Sequence, residues 1–297
     1  NSDMPQFHNP YADALDGLFL DDPVTAFFNF CREREKIRVA RESGKPQPWT
    51  NDPIFQRGRF LNVFREDDRG SIAIIDFVED IKNDLPLLIQ SLFFARWCNR
   101  QETLNNLAIE DLGNDQELRK KLGLINPWCN STAYPVGPVT WKGTKYSRFD
   151  AATKLFYKIK YTLTDIINKA DGSVIEATKN VSNQFSMEND FPVFMAVIDI
   201  AWFRPDIIDP ASDVPTGIGA VAYLDILQKY LGLENHQQTC KKMIELQKDI
   251  WPEAKRNFYP IDVEYLSCEC RKYYSYVNGT KRFEGKNIFR PYNSPNI

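Results

Sequence analysis

The sequence has few of the residues that most metal and nucleophile sites use. Its 297 residues include two histidines, His8 and His236, and six cysteines. Only Cys268 and Cys270 are close in sequence, and one intervening residue is not a zinc-site spacing. A histidine-based triad would need His8 or His236, and both lie in polar contexts. We therefore expect no metal site, reduced thiols, and acid–base chemistry by Asp and Glu.

Long apolar runs and nucleotide-binding signatures are also missing. No run approaches the roughly 18 apolar residues of a membrane span, and polar residues 1–10 contain no signal-peptide core. There is no G-x-x-x-x-G-K-[ST], no G-x-G-x-x-G after a strand, no H-E-x-x-H and no G-x-S-x-G. We expect an intracellular protein with no cofactor and no membrane contact, nuclear in a eukaryote and cytoplasmic in a bacterium or virus.

The charge is unevenly distributed along the chain. Residues 31–69 carry ten Lys and Arg against seven Asp and Glu, and residues 268–297 carry six against two. The net charge is −3, so the remainder is acidic. This pattern is typical of a protein that binds a polyanion with one face, although a solvated surface with a chance bias explains it equally well. The cations that we predict to share one face are Arg34, Arg38, Arg41, Lys281, Arg282, Lys286 and Arg290.

Helical periodicity runs through nearly the whole chain. Asp22-Pro23 predicts a helix start, and Gly44 and Pro46 end that helix. Alternating segments are scarce, and residues 126–146 are predicted as a loop. The sequence therefore predicts an all-α protein. The further helices are predicted to start at Asp84 and near residues 103, 150, 193, 217, 235 and 260.

Arg65-Glu66-Asp67-Asp68-Arg69 is the densest polar cluster. Five consecutive charges after an apolar lead cannot all face water, so some should pair internally. One interpretation is a carboxylate–arginine site for phosphate, and the other is a surface turn with neutralising ion pairs. We predict that Trp49, Pro53 and Phe60 are structural and anchor the proline-rich segment before this cluster.

Three other positions combine unusual chemistry with a predicted helix. Asp199 lies in an apolar helix and needs a partner there, with a structural and a catalytic role both open. Asp262 is a plausible N-cap shortly before Glu264. Thr216-Gly217 at a helix start could present backbone N–H groups to an anion.

Taken together and in this order, these segments resemble the α-glutamyl/putrescinyl thymine pyrophosphorylases, a family that includes the helical domain of 5-hydroxymethyluracil DNA kinases. The resemblance covers about residues 25–292. The strings that carry it are Arg32-Glu33-Arg34-Glu35, Gly44-Lys45-Pro46, Pro48-Trp49-Thr50-Asn51-Asp52-Pro53-Ile54, Arg59-Phe60, Asn62-Val63-Phe64-Arg65-Glu66-Asp67-Asp68-Arg69, residues 93–99, Phe194-Met195-Ala196 with Asp199, Pro215-Thr216-Gly217, Asp262-Val263-Glu264-Tyr265, Cys268-Glu269 and Lys272-Tyr273.

The resemblance implies a helix-hairpin-helix DNA-glycosylase-like fold. It divides the chain into an extension (1–21), one helical domain that two lobes could form (22–292) and a tail (293–297). Members of the family modify 5-hydroxymethyluracil in DNA, and one branch phosphorylates it while another replaces pyrophosphate with an amino acid or amine. Three features differ from the family: Phe191-Pro192-Val193-Phe194 lacks the glycines of its hairpin, the Gly-rich run before the next helix is shortened to Thr216-Gly217-Ile218-Gly219, and we expect no ATP-binding domain in this sequence. A stand-alone transferase or base-processing enzyme is therefore expected rather than a kinase.

The expected function is transfer of an amino acid or amine to a 5-hydroxymethyluracil-derived thymine, with loss of pyrophosphate. The alternatives are a glycosylase that removes a modified base and a non-catalytic DNA-binding module of a kinase system. DNA is the expected partner, an amino acid or amine the expected donor, and the oligomeric state stays open. The predicted catalytic carboxylates are Glu66, Asp67, Asp199 and Glu264. The residues predicted to bind phosphate or DNA are Arg65, Arg69, Arg96, Asn99, Thr216, Gly217 and Lys272.

We further expect the cluster at 65–69, the start of the last helix and Asp199 to line one pocket. A buried Asp199 needs a cation, and Arg65, Arg69 and Lys272 are the candidates. In the alternative, each carboxylate pairs locally and the segments are unrelated in space.

Overall fold

The computed structural model describes residues 21–279 and 281, and this part of the chain is built almost entirely of helices. The predicted all-α class is confirmed there, while the helix-hairpin-helix detail stays a prediction. The elements are α1 (Pro23–Glu42), α2 (Pro53–Arg57), α3 (Arg69–Val78), α4 (Leu85–Cys98), α5 (Gln101–Asn105), α6 (Asp115–Gly123), β1 (Val139–Trp141), β2 (Thr144–Tyr146), α7 (Arg148–Asp150), α8 (Phe156–Asn168), α9 (Val174–Gln184), α10 (Phe191–Phe203), α11 (Ile218–Leu231), α12 (His236–Ile250) and α13 (Pro260–Val277).

The helix starts follow local capping chemistry. The Asp22 carboxylate accepts a hydrogen bond from the Thr25 N–H at 3.0 Å, and Pro23 occupies the first helical position. Asp84 caps α4 in the same way through the Leu87 N–H at 3.3 Å. The helix starts predicted at these two aspartates are confirmed.

The predicted loop at residues 126–146 is wrong at its end, where β1 and β2 form an antiparallel hairpin. Its two turn residues, Lys142 and Gly143, have φ values of 47° and 82°. A two-residue turn of this kind matches the twist of the paired strands. The sequence missed it because three-residue strands are too short to show alternation.

The chain forms two compact units. Among the described residues, the first combines residues 21–68 with residues 214–279 and 281, and the second is Arg69–Asp213. In the first unit α13 packs against α1, α11 and α12. Its core is rich in aromatic rings, and the buried Tyr223 hydroxyl donates to the Pro23 carbonyl at 2.8 Å. That bond ties α11 to the start of α1.

The second unit is organised around α4, which packs against α8 and α10. Residues 88–98 of this helix are all buried, as expected for a central helix that is covered on every side. The Trp97 and Phe156 rings meet edge to face, with centroids 4.9 Å apart.

The predicted extension (1–21) and tail (293–297) fall, except for residue 21, outside the described residues, as do His8, Arg282, Lys286 and Arg290. The prediction of one shared basic face therefore stays a prediction. Within residues 21–279 and at 281, none of the helices has the length and apolar character of a membrane span.

Candidate functional site

In the first unit a single guanidinium joins the polar cluster to the start of α13. Arg256 lies in the loop between α12 and α13. Its Nε and Nη2 donate to the two Glu66 oxygens at 2.8 and 3.0 Å, and its Nη1 and Nη2 donate to the Asp262 oxygens at 2.8 and 3.0 Å. Glu66 of the cluster and the start of the last helix are therefore joined through an arginine that sequence reasoning did not select, while one pocket shared with Asp199 stays a prediction.

The four hydrogen bonds from this guanidinium to Glu66 and Asp262, here called the Arg256 fork, determine the protonation of Glu66. Burial alone would raise the pKa of Glu66, but the hydrogen bonds and the charge of Arg256 hold that pKa below its usual value. Asp262 is buried, and its Oδ2 also accepts the Tyr259 N–H at 2.7 Å. Glu66 is therefore a poor proton acceptor at neutral pH, and both Asp262 oxygens are occupied by hydrogen-bond donors.

Asp67 is also held by cations. Its Oδ2 lies 2.6 Å from the Lys255 Nζ and 3.3 Å from the Arg38 Nε. Arg38 also pairs with Glu35 and Glu42 on its own helix. Arg38, one of the cations predicted to share one basic face, therefore neutralises carboxylates of its own unit.

Glu264 has a different environment. Its Oε1 accepts the Gly217 N–H at 3.1 Å, at the N-terminus of α11. Burial raises the pKa of Glu264 to about 7, against the lowering effects of that N–H and of the Arg65 charge. A carboxyl group with a pKa near 7 can both take up and release a proton under physiological conditions.

The backbone N–H of Gly217 was predicted to bind an external anion, and in the structure it binds this internal carboxylate. The adjacent Thr216 also has an internal partner. Its Oγ1 lies 3.1 Å from the His236 Nδ1. The helix start is therefore a convergence point of a carboxyl group, a hydroxyl and an imidazole.

Two more carboxyl groups with raised pKa values lie in this unit. Burial raises the pKa of Asp68 to about 6, although Asp68 accepts the Asn62 N–H at 3.2 Å. Burial also raises the pKa of Glu269, against the charges of Lys272, Arg271 and Arg34. The Glu269 Oε2 is buried and has no hydrogen-bond partner among the described residues.

The three cations proposed as partners of the carboxylates, Arg65, Arg69 and Lys272, lie in different environments. Arg65 is half-buried, and its charge acts on both Glu264 and Asp68. Arg69 is exposed at the start of α3, in the second unit. Lys272 donates to the Arg59 carbonyl and lies over the Phe60 ring, and its burial lowers its pKa.

Asp199, Arg96 and Asn99 belong to the second unit. The Arg96 Nε and Nη2 donate to the two Asp199 oxygens at 2.6 and 2.8 Å, between α4 and α10. Both side chains are buried. Asp199 therefore has the arginine partner that its burial requires, but the partner is Arg96, so the choice of Arg65, Arg69 or Lys272 was wrong. Asn99 ends α4 in the left-handed region, with φ 44°.

An open groove of about 620 Å³ lies in the first unit between α1 and the proline-rich segment. Trp49 lines it, half-exposed, with its Nε1 donating to the Lys45 carbonyl at 2.7 Å. Phe60 is buried in the core, as predicted for a structural residue, whereas Pro53 is exposed at the first position of α2. Trp49 therefore combines an anchored ring with access to the groove.

Arg256, His236 and the raised pKa of Glu269 were missed from the sequence. Arg256 is an ordinary loop cation there, 190 residues from Glu66. A histidine after Asn235 at a helix start gave no sign of its two partners. Nowhere in the described part of the chain do three or more His, Cys, Asp or Glu side chains come together as possible metal ligands.

The comparison with known families agrees with the resemblance seen in the sequence. The model of the family described as "5-hmdU DNA kinase, helical domain" matches residues 22–281. No curated protein and no solved structure matches the chain significantly. Because the family match covers most of its length, the chain belongs to the family of 5-hmdU DNA kinase helical domains, a family associated with thymine hypermodification in DNA.

Proposed function

We propose that this protein modifies a 5-hydroxymethyluracil-derived thymine in DNA, by transferring an amino acid or amine to it with loss of pyrophosphate. The observation that carries the proposal is Glu264, a buried carboxyl group with a pKa of about 7 at the start of α11. The family supplies the substrate class, and Glu264 supplies a group able to exchange a proton with it at neutral pH.

The reaction needs one bond to break and one to form at the same carbon. The bond between the C5 methylene and the pyrophosphate oxygen breaks, and the amine nitrogen bonds to that methylene. Glu264, in its ionised form, takes the proton that the amine loses. Arg65 is close enough for its charge to act on Glu264, and we assign it to the departing pyrophosphate.

The other predicted carboxylates suit this role less well. Glu66 is held ionised by Arg256, Asp67 is shared between two cations, and both Asp199 oxygens are bonded to Arg96. A carboxylate that is already saturated with charged donors gains little by accepting a proton. Among the predicted four, Glu264 is therefore our choice for the base.

Product analysis tests the proposal. DNA that contains 5-(pyrophosphoryloxymethyl)uracil is incubated with the protein and a mixture of amino acids and diamines, and the nucleosides are identified by mass spectrometry. We expect an amine adduct, and Glu264→Gln should lower its rate by on the order of 100-fold or more. Glu269→Gln is the matched control, because Glu269 is also a buried carboxyl group of α13 with a raised pKa. An abasic site in place of the adduct would identify a glycosylase.

A second candidate is a DNA-binding module of a kinase system, favoured by the kinase named in the family description. In that case wild-type protein and Glu264→Gln would bind 5-hydroxymethyluracil DNA equally, and neither would change the base. DNA binding with no turnover for any donor would favour this candidate over the transferase.

A further inference from the structure

Three side chains, one before α11, one within it and one at the start of α12, form a hydrogen-bonded chain that the proposed transferase chemistry does not use. The His236 Nε2 lies 2.7 Å from the Asp225 Oδ1, and the His236 Nδ1 lies 3.1 Å from the Thr216 Oγ1. Asp225 belongs to α11, His236 is the first residue of α12, and Thr216 directly precedes the Gly217 cap. One imidazole therefore bridges a carboxylate and a hydroxyl.

The direction of these bonds follows from the carboxylate. An ionised Asp225 can only accept, so the Nε2 of His236 carries the proton. In the neutral imidazole the Nδ1 then has a lone pair, and the Thr216 hydroxyl donates to it. This order of carboxylate, imidazole and hydroxyl is the arrangement by which enzymes activate a serine or threonine nucleophile.

The three hydrogen-bonded side chains differ in their exposure to solvent. The His236 side chain is 13% exposed and that of Asp225 60%, while Thr216 is half-buried. The imidazole is thus mostly shielded from water, whereas Thr216 keeps part of its surface exposed to solvent. A neutral electrophile suits the surroundings better than an anion, because the Asp225 carboxyl group is bonded to the same imidazole and the Glu264 carboxyl group accepts from the adjacent Gly217 N–H.

We propose that Thr216 is a nucleophile activated by His236 and oriented through Asp225, and that it accepts acyl groups from neutral carboxylic esters. The Thr216 oxygen attacks the ester carbonyl carbon while its proton passes to the His236 Nδ1. The carbon–oxygen bond to the leaving alkoxide breaks, and that proton leaves with the alcohol. Water then hydrolyses the acyl-threonine to the acid and the free hydroxyl.

A neutral alkyl fluorophosphonate tests this activation without DNA or any amine. The Thr216 oxygen would displace fluoride from phosphorus, and mass spectrometry would locate the adduct on the peptide that contains residue 216. The result is independent of the transferase assay, so either proposal can fail alone. Hydrolysis of p-nitrophenyl acetate provides a second readout.

We expect wild-type protein and Thr216→Ser to be labelled and Thr216→Val not to be. His236→Ala should slow labelling by on the order of 100-fold or more, with partial recovery in added imidazole. Asp225 is a positioning residue, so labelling should fall in Asp225→Asn and recover partly in Asp225→Glu. Thr25 is an internal control, because its hydroxyl donates to the Asp22 carboxylate at 2.7 Å without an imidazole and should stay unlabelled.

Two results would overturn the proposal. One is the absence of a Thr216 adduct in folded wild-type protein under conditions that label a serine hydrolase. The other is labelling of Thr216 at an undiminished rate in His236→Ala. The wild-type adduct position decides the question even if one of the variants fails to fold.

Discussion

The two units differ in the partners and pKa values of the carboxyl groups that they contain. In the second unit one carboxylate, Asp199, meets one guanidinium, Arg96, and both carboxylate oxygens are bonded. In the first unit Asp68, Glu264 and Glu269 are carboxyl groups whose pKa values burial has raised. An arginine partner is thus present for Asp199 in the second unit and for Asp262 in the first, where these three other carboxyl groups remain under-compensated.

This difference distinguishes an ion pair that joins two helices from carboxyl groups that can exchange protons. The Arg96–Asp199 pair joins α4 to α10. A carboxyl group with a raised pKa costs stability when it ionises, and such groups concentrate at sites where protons are exchanged. The comparison therefore points to the first unit as the place to look for proton transfer.

The largest expected effect is the loss of the built-in partner in the second unit. Asp199→Ala leaves the Arg96 charge buried alone, and we expect it to lower the free energy of unfolding by about 3–5 kcal/mol. Urea titration measures this change. Asp206→Ala is the control, because Asp206 pairs with Arg204 at the surface and its loss should be barely detectable.

An apolar replacement of both partners sharpens the same test. Arg96→Met combined with Asp199→Leu removes the charges and keeps apolar volume between the two helices. It should recover most of the stability that Asp199→Ala loses. A double variant as unstable as the single one would mean that the pair contributes more than mutual neutralisation.

The counterpart in the first unit is Arg256, whose removal would leave two carboxylates without their shared donor. We expect Arg256→Ala to lower the free energy of unfolding by about 3 kcal/mol, since Glu66 and Asp262 lose bidentate partners together. Lys255→Ala is the neighbouring control and should have a much smaller effect in the same titration. Equal losses would show that the fork is no stronger than a surface contact.

The next effect depends on pH. The folded-state pKa of Glu264 is about 7, above its ordinary value of 4.5, so the folded protein binds more protons than the unfolded chain between these values. This group therefore favours folding most below pH 4.5, and that contribution is lost as the pH rises through 7. Between pH 5 and pH 8 wild-type protein should lose about 2 kcal/mol that Glu264→Gln does not lose.

Chemical denaturation at the two pH values measures this difference. Glu253→Gln is a control, because Glu253 is an exposed carboxylate of the same unit. It should follow the wild-type pH dependence. If Glu264→Gln also follows it, the raised pKa assigned to Glu264 is contradicted.

Local signals in the sequence were sufficient to predict much of the fold. Asp22-Pro23 and Asp84 set helix starts through bonds to backbone three residues away, so the signal and its effect share one segment. The hairpin at 139–146 escaped because its strands are short. The division into two units depends on contacts between segments that are distant in sequence, and no local signal encodes them.

The sequence predicted some of the residues of the site but not the environment of each one. Glu264 and Thr216 were selected from the sequence, but their environments come from Gly217 and His236, 47 and 20 residues away. Asp199 was correctly expected to need a cation, yet composition could not choose among the arginines. Spacing cannot reveal a pKa either, because desolvation depends on how elements pack.

The smallest expected effect concerns exposed ion pairs, one in each unit. Arg32–Glu253 lies in the first unit, with N···O 3.2 Å and side chains 38% and 63% exposed, and Arg119–Asp150 lies in the second, with 2.7 Å and 35% and 41% exposed. Double-mutant cycles should give coupling energies of about 0.2–1 kcal/mol for both pairs, because water screens such charges and the side chains lose entropy on pairing. Both couplings should shrink as salt is added. If the two coupling energies are equal while the effects at Asp199 and Glu264 differ, the units differ in the charges that they bury and not in their exposed ion pairs. A strong coupling in only one unit would contradict this conclusion.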